Sequence, residues 1–307
     1  MITLFKDQLG KSDGHHETQT VLNSYSDKES FSLMKQKYDP EAYWEQRLSK
    51  KLDLTTVGQM GLGYVYNSWL YRARFHTMHR ALRKLNLNIS SKSLIEIGVG
   101  SGAWIPYWQK HNISKIVGLD ITSASVCALG NRYPEYSFFK ADICSTTKIP
   151  SEETFDIVTA FDVLFHITDD RDFSNGILNL SKLVKRGGWL ILSDSFCKNS
   201  WGPFYHEYHR TYDTYLREFN SVCLKPVHIE PIFYTMTTNI CNSNSGYQRF
   251  ISQFTKAMLK IVSRLSSQPQ TEWMNHIIGC SMYLIDRILY RIEKTGFSLK
   301  LLFAQKC

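Results

Sequence analysis

The chain has 307 residues, 43% of them hydrophobic, and a formal charge of +8 from 36 lysines and arginines against 28 acids. This is an ordinary globular composition, long enough for one large domain with appendages, and its basic residues never form a block of five or six, which argues for a solvated basic surface over a nucleic-acid patch. No segment reaches the roughly 18 consecutive apolar residues of a spanning helix, and the first thirty residues, with Lys6, Asp7, His15, His16, Glu17 and Lys28, lack the apolar run of a signal peptide. The seven cysteines are scattered without a C-x-x-C pair, so neither a disulfide framework nor a metal site is suggested, and a cytoplasmic setting fits.

Residues 1–37 are rich in Ser, Thr, Asp, Lys and His with few clustered aliphatics, and are expected to form a flexible N-terminal arm. At Asp39-Pro40-Glu41 the texture changes. Asp39 can cap a helix with Pro40 in its first position, and Tyr43-Trp44-Glu45-Gln46-Arg47-Leu48 continues it. Past the glycines Gly58, Gly61 and Gly63, a second helical pattern covers Tyr64 to Leu85, with Trp69, Leu70, Ala73, Met78, Ala81 and Leu82 near helical spacing. Residues 38–85 read as a helical cap or lid, and 86–307 as the main domain.

From Ser93 onward, short apolar runs alternate with helical stretches: Leu94 to Gly98, Ile116 to Leu119, Tyr136 to Phe139, Phe155 to Phe161 and Trp189 to Ser193. This is the pattern of a doubly wound, mostly parallel α/β sheet with crossover helices. In such a sheet ligand groups collect at the strands' carboxyl ends, and Glu96, Asp120, Asp142, Asp162 and Asp194 all lie at or near one. Beyond Asp194, Val227 to Tyr234 and Leu299 to Ala304 read as two further strands. Tyr247 to Arg264 and Trp273 to Lys294 read as helices, the latter with Ile277, Ile278, Tyr283, Leu284, Ile285, Ile288, Leu289 and Ile292 on one face, expected to meet core or a second subunit.

Two cofactor families share the glycine turn. Gly98-x-Gly100-x-x-Ala103 with Asp120 about 20 residues on fits a permissive dinucleotide fingerprint. The fuller constellation is Glu96-x-Gly98-x-Gly100-x-Gly102 after the first strand, Asp120 ending the second, Lys140-Ala141-Asp142-Ile143 ending the third and Gly187-Gly188-Trp189 entering the fifth. This resembles the class I, Rossmann-like S-adenosylmethionine-dependent methyltransferases, whose pattern requires an acid two residues before the first glycine. The resemblance covers about Ser93 to Asp194 and implies a seven-stranded sheet and S-adenosylmethionine as cofactor. It implies that Glu96 meets the cationic methionyl end and that Gly98, Val99, Gly100 and Gly102 let the backbone approach closely. It further assigns the ribose to Asp120 and the adenine to Asp142 and Ile143, with Ile121 as a wall and Phe161 nearby.

After the fourth strand, His166 stands where such enzymes place cofactor sulfur and acceptor together, and it is a candidate general base. His209 is a second catalytic candidate. Tyr66, Asn67, Tyr71 and Arg72 in the cap, with His206 after the fifth strand, offer the aromatic and hydrogen-bonding mix that could hold a small molecule or saccharide. The run His206 to Arg210 could equally pack as an ordinary aromatic helix. No Asn-Pro-Pro-Tyr-like segment follows the fourth strand, where Phe161-Asp162-Val163-Leu164 stands instead, so a nucleic-acid substrate is not expected. The expectation is methyl transfer, most simply to oxygen. A nicotinamide-dependent oxidoreductase and a non-catalytic binding protein on the same fold remain as alternatives.

Overall fold

The computed structural model describes residues 38–145, 153–238, 246–293, 296 and 298–307; the expected arm lies outside the described residues. Residues 38–307 form one compact unit. Its chain runs α1 (Pro40–Lys50), α2 (Leu54–Val57), α3 (Gly63–Lys84), β1 (Ser93–Ile97), α4 (Ile105–Lys110), β2 (Lys115–Asp120), α5 (Ser123–Arg132), β3 (Ser137–Lys140) and β4 (Phe155–Phe161). It continues α6 (Asp170–Leu183), β5 (Val184–Asp194), α7 (Tyr212–Ser221), β6 (Leu224–Pro231), α8 (Gly246–Ser266), α9 (Glu272–Ile292) and β7 (Lys300–Lys306).

The seven strands form one sheet in the order β3-β2-β1-β4-β5-β7-β6. The pairs among β1 to β5 are parallel, whereas β7 runs antiparallel between β5 and β6. Strand order reverses between β1 and β4, and their carboxyl ends diverge there to leave a crevice. Side chains alternate across the sheet. Leu94 joins the core layer built on α3, α4, α8 and α9, whereas Ile95 and Ile97 join the layer beneath α6 and α7. Glu96 therefore points toward the α3/α4 layer, on the crevice side.

α1 starts as its sequence dictates, with Pro40 inside the first turn and the Asp39 carboxylate accepting the Ala42 amide at 3.0 Å. The α2–α3 turn is held by Asn67, whose side chain accepts the Gln59 amide at 2.8 Å and donates to the Gln59 and Gly63 carbonyls. α8 and α9 are inserted between β6 and β7 and pack with α3.

α9 turns only part of its expected apolar face to the core, with Leu289 buried and Ile278, Tyr283 and Ile285 packed against it. Its inward face is Asn275, Gly279, Met282, Asp286 and Leu289, while Ile277, Leu284, Ile288 and Ile292 point outward. Two contacts fix that rotation. Gly279 lies against the Trp69 ring, where any Cβ would collide. The Asp286 carboxylate accepts the Tyr234 and Thr235 amides at 2.9 and 2.7 Å. Among the described residues, no helix is long and apolar enough to cross a membrane. Cys127, Cys144, Cys223, Cys280 and Cys307 are free, but Cys197 is disulfide-bonded, a crosslink that the scattered spacing did not suggest.

Candidate active site

The turn after β1 is built from left-handed glycines, with φ of +69° at Gly98, +51° at Gly100 and +73° at Gly102. A side chain would be strained at each, and a Cβ on Gly98 would run into Val163 at the end of β4. The turn is anchored from β2. Gly98 and Val99 donate their amides to the Leu119 carbonyl at 2.7 and 3.1 Å, and Gly100 donates to Asp120 Oδ2 at 2.8 Å. Asp120 Oδ1 accepts the Thr122 amide and hydroxyl at 2.9 and 2.7 Å. Burial raises the Asp120 pKa, opposed by these donors. The Ser101 hydroxyl in the turn is buried without a hydrogen-bond partner.

Glu96 is 2% exposed and accepts one hydrogen bond, from Trp108 Nε1 at 2.8 Å. Burial pushes its pKa up to about 8, and the Asp120 charge adds to the rise. Around it stand Phe161, Trp104 and Trp108, with Phe161 and Trp104 centroids 4.3 Å apart. Aromatic faces of this kind attract cations.

On the other side of the crevice, Arg74 of α3 donates Nη2 to Asp162 Oδ2 at 2.7 Å. Its Nε and Nη1 are buried without partners. Asp162 ends β4 in the left-handed region, φ +57°, fixed by Ser193 through its own amide and carboxylate. Tyr71 lies within electrostatic reach of Arg74, Asp162 and Glu96 together, so the buried cation and the buried acid stand near one another.

α1 closes over the carboxyl ends of β2 and β3. Glu45 accepts the Ser123 and Ala124 amides at the start of α5, at 2.6 and 3.0 Å, and Glu41 pairs with Lys140 at 2.6 Å. Val57 of α2 lies 3.0 Å from where a Gly100 Cβ would stand. Further along, Trp44 meets the His166 ring edge-on at 4.9 Å and Tyr43 stacks on His206 at 5.0 Å.

His166 and His206 stack at 5.6 Å, with His166 Nδ1 donating to the His206 carbonyl at 2.7 Å. Burial pulls the His166 pKa down to about 4, so the imidazole is neutral at physiological pH. His209 behaves oppositely: burial lowers it, but Asp194 at 3.2 Å and Glu207 at 3.8 Å outweigh that and raise it to about 9. Tyr215 donates its hydroxyl to Asp194 from behind.

The structure thus brings Glu96, Gly98 to Gly102, Asp120 and Phe161 around one crevice. Ile143 is buried and Ile121 half-buried at the ends of β3 and β2, whereas Asp142 is exposed and accepts the Cys144 amide at 2.8 Å. His206 to Arg210 form no helix but a loop bridged between Trp201 and His209. Of the four cap residues expected to hold the acceptor, Tyr71 lies nearest to Glu96, Arg74 and Asp162. Tyr66 spends its hydroxyl on the Met236 carbonyl, Asn67 holds the turn before α3, and Arg72 lies outside, stacked on Trp69. His209 is 1% exposed and faces Asp194 and Glu207. Sequence reasoning passed over Arg74, whose signal was a cation on the apolar stripe of α3, where burial demands a partner. It also passed over Glu207, set between two histidines.

Residues 95–192, from β1 into β5, match the family of methyltransferase domains. Over 114 residues the chain is 33% identical to the mitochondrial ubiquinone biosynthesis O-methyltransferase of Candida albicans, covering 35% of this chain and 33% of that protein. The chain therefore spans about a third of the length of the curated relative that it matches. Magnesium protoporphyrin IX methyltransferase of Synechocystis, solved with S-adenosylmethionine bound, is similar in structure with a TM-score of 0.50 and 14% identity, over 88% of this chain and 98% of that one. The N-methyltransferase NodS of Bradyrhizobium japonicum is similar with a TM-score of 0.44 and 16% identity, over 75% of this chain and 86% of that one. Residues 95–192 thus match a methyltransferase domain, carried on a class I, Rossmann-like sheet.

Proposed function

We propose that this chain is an S-adenosylmethionine-dependent methyltransferase that methylates an oxygen of a small molecule or saccharide beneath the cap formed by residues 38–85. The observation that carries the cofactor half is the pairing of a buried acid with a buried, half-satisfied arginine at the crevice: Glu96, and Arg74 with Nε and Nη1 unpartnered. An amino acid's ammonium and carboxylate complement that pair. Bound there, S-adenosylmethionine supplies an electrophilic methyl carbon on a positively charged sulfur. Glu96 takes the ammonium, Arg74 the carboxylate, and the remaining lone pairs of Asp120 the ribose hydroxyls. Ile121 and Ile143 wall the adenine, with Asp142 at its edge.

An oxidoreductase fits less well, because a buried carboxylate beside the turn would face the pyrophosphate of a nicotinamide cofactor. The oxygen acceptor is supported by the Candida albicans relative, an O-methyltransferase by name. It is also supported by the neutral imidazole of His166, three residues beyond the Val163 that covers Gly98.

Calorimetry tests the cofactor half. S-adenosylhomocysteine should bind the intact chain, and Arg74→Leu should weaken it by about tenfold to a hundredfold, the worth of a charge-assisted contact. Binding of 5′-methylthioadenosine, which lacks the amino-acid end, should stay unchanged. No binding of S-adenosylhomocysteine, or equal loss for both ligands, would reject the assignment.

A further inference from the structure

The geometry points to a divalent metal site formed by His166, His206 and Glu207 at the acceptor end of the crevice, with coordination positions left open for an acceptor oxygen. The sequence suggested no such site, because its scattered cysteines form no C-x-x-C pair. The loop after β5 instead carries His206-Glu207 back against the segment after β4. There one donor atom from each of the three residues lies within 4.8 Å of the other two, all half-buried.

Each donor is prepared in the way a metal ligand needs. A carbonyl oxygen can only accept, so His166 Nδ1, bonded to the His206 carbonyl, carries the proton and Nε2 keeps its lone pair. His206 Nε2 stands 3.5 Å from Glu207 Oε1. That is long for a hydrogen bond, yet two ligands each about 2.0–2.1 Å from a tetrahedral ion sit roughly 3.4 Å apart. The other oxygen of Glu207 faces His209 Nε2 at 3.8 Å, and His209 is held in turn by Asp194 at 3.2 Å. This Asp194-His209-Glu207 chain orients the carboxylate from behind, the supporting arrangement that metal carboxylates characteristically have.

Two imidazoles and one carboxylate suit a borderline ion such as zinc, iron(II) or cobalt(II) better than magnesium or calcium, which prefer all-oxygen shells. Three protein ligands leave at least one position free, as catalytic sites do. The indole of Trp44 and the phenol of Tyr43 cover the cluster from α1, limiting access of water. A hydroxyl bound to the ion would ionise more readily than in water. The site thus deepens the proposed transfer to oxygen and rests on that reading for its purpose, though its existence can be tested without it.

The test is cobalt(II) titration of the full-length chain, stripped with chelator, read by visible absorption and calorimetry. We expect one ion per chain with the intense bands of a four- or five-coordinate centre. Glu207→Gln and His206→Ala should each weaken binding at least tenfold while thermal unfolding stays cooperative, and His209→Gln should weaken it less. No binding, or binding that both Glu207→Gln and His206→Ala leave unchanged, would overturn the site. S-adenosylhomocysteine is titrated separately into metal-free protein: binding there without cobalt binding keeps the methyltransferase reading and rejects the metal, and the converse keeps the metal and rejects that reading.

Discussion

A carboxyl group as deeply buried as Glu96 holds its proton until a cation stands beside it. With the pKa raised to about 8, chiefly by burial, the group is mostly neutral at pH 7. Pairing with the ammonium of the cofactor must then release that proton. Affinity for S-adenosylhomocysteine should rise with pH from about 6 to 8, by up to about tenfold per unit, and level off above. In Glu96→Gln, which fixes the neutral shape, affinity should be weak and flat across the same window. Calorimetry in buffers of different ionisation enthalpy reads the released proton directly, and a flat wild-type profile would remove Glu96 from the cofactor site. Glu96 was legible in the sequence because its spacing from three glycines is a local pattern. Arg74 was not, because its partner Asp162 stands 88 residues away and only the folded crevice brings the two together.

At the scale of elements, α1 is a strap fastened by side chains rather than by core. One residue of it, Leu48, is buried, and its grip on the sheet comes from Glu45 at the start of α5 and Glu41 on Lys140. Glu45→Gln should weaken that grip by about 1 kcal/mol, the worth of a helix cap. The expected readings are faster hydrogen exchange across residues 40–50 and faster release of S-adenosylhomocysteine, by about fivefold, with unchanged melting of the sheet. If release is unaffected, α1 does not gate the crevice. α9 makes the complementary case. Its helical period was plain in the sequence, yet the centre of the buried face was not, because Asn275 and Asp286 are polar residues that point inward to satisfy other groups. Gly279→Ala should cost about 1–3 kcal/mol by driving a methyl group into Trp69. Ile288→Glu, on a side chain 58% exposed, should change stability by less than about 0.5 kcal/mol. Urea unfolding of the two variants decides which face is core.

Across the whole molecule, a mostly parallel sheet with ligand groups at its carboxyl ends could be read from alternating apolar runs, since parallel crossovers permit few arrangements. The acceptor end could not, because it is assembled from α1, the segment after β4 and an irregular loop after β5, none of which has a period. That same assembly sets the response to pH. Glu230 is buried, yet His228, Arg80 and Lys84 hold it down to about 2, and the histidines around Glu207 hold that carboxylate at about 2 despite burial. Folded values below the ordinary 4.5 mean that these groups stabilise fully above that pH and lose their contribution as pH falls toward 2. Glu96 and His209 are displaced upward, to about 8 and about 9. Their contributions are complete below the ordinary 4.5 and 6.5 and disappear as pH rises through 8 and 9. The two trends cross, so Tm of the protein without cofactor should peak at about pH 5 to 6.5 and decline toward pH 9. Saturating S-adenosylhomocysteine should reduce that decline, since an ammonium beside Glu96 removes the cost of ionising it. Glu96→Gln should reduce it without ligand, leaving the part that belongs to His209. A Tm that climbs steadily through pH 8 in the ligand-free protein would show that neither group is buried as described.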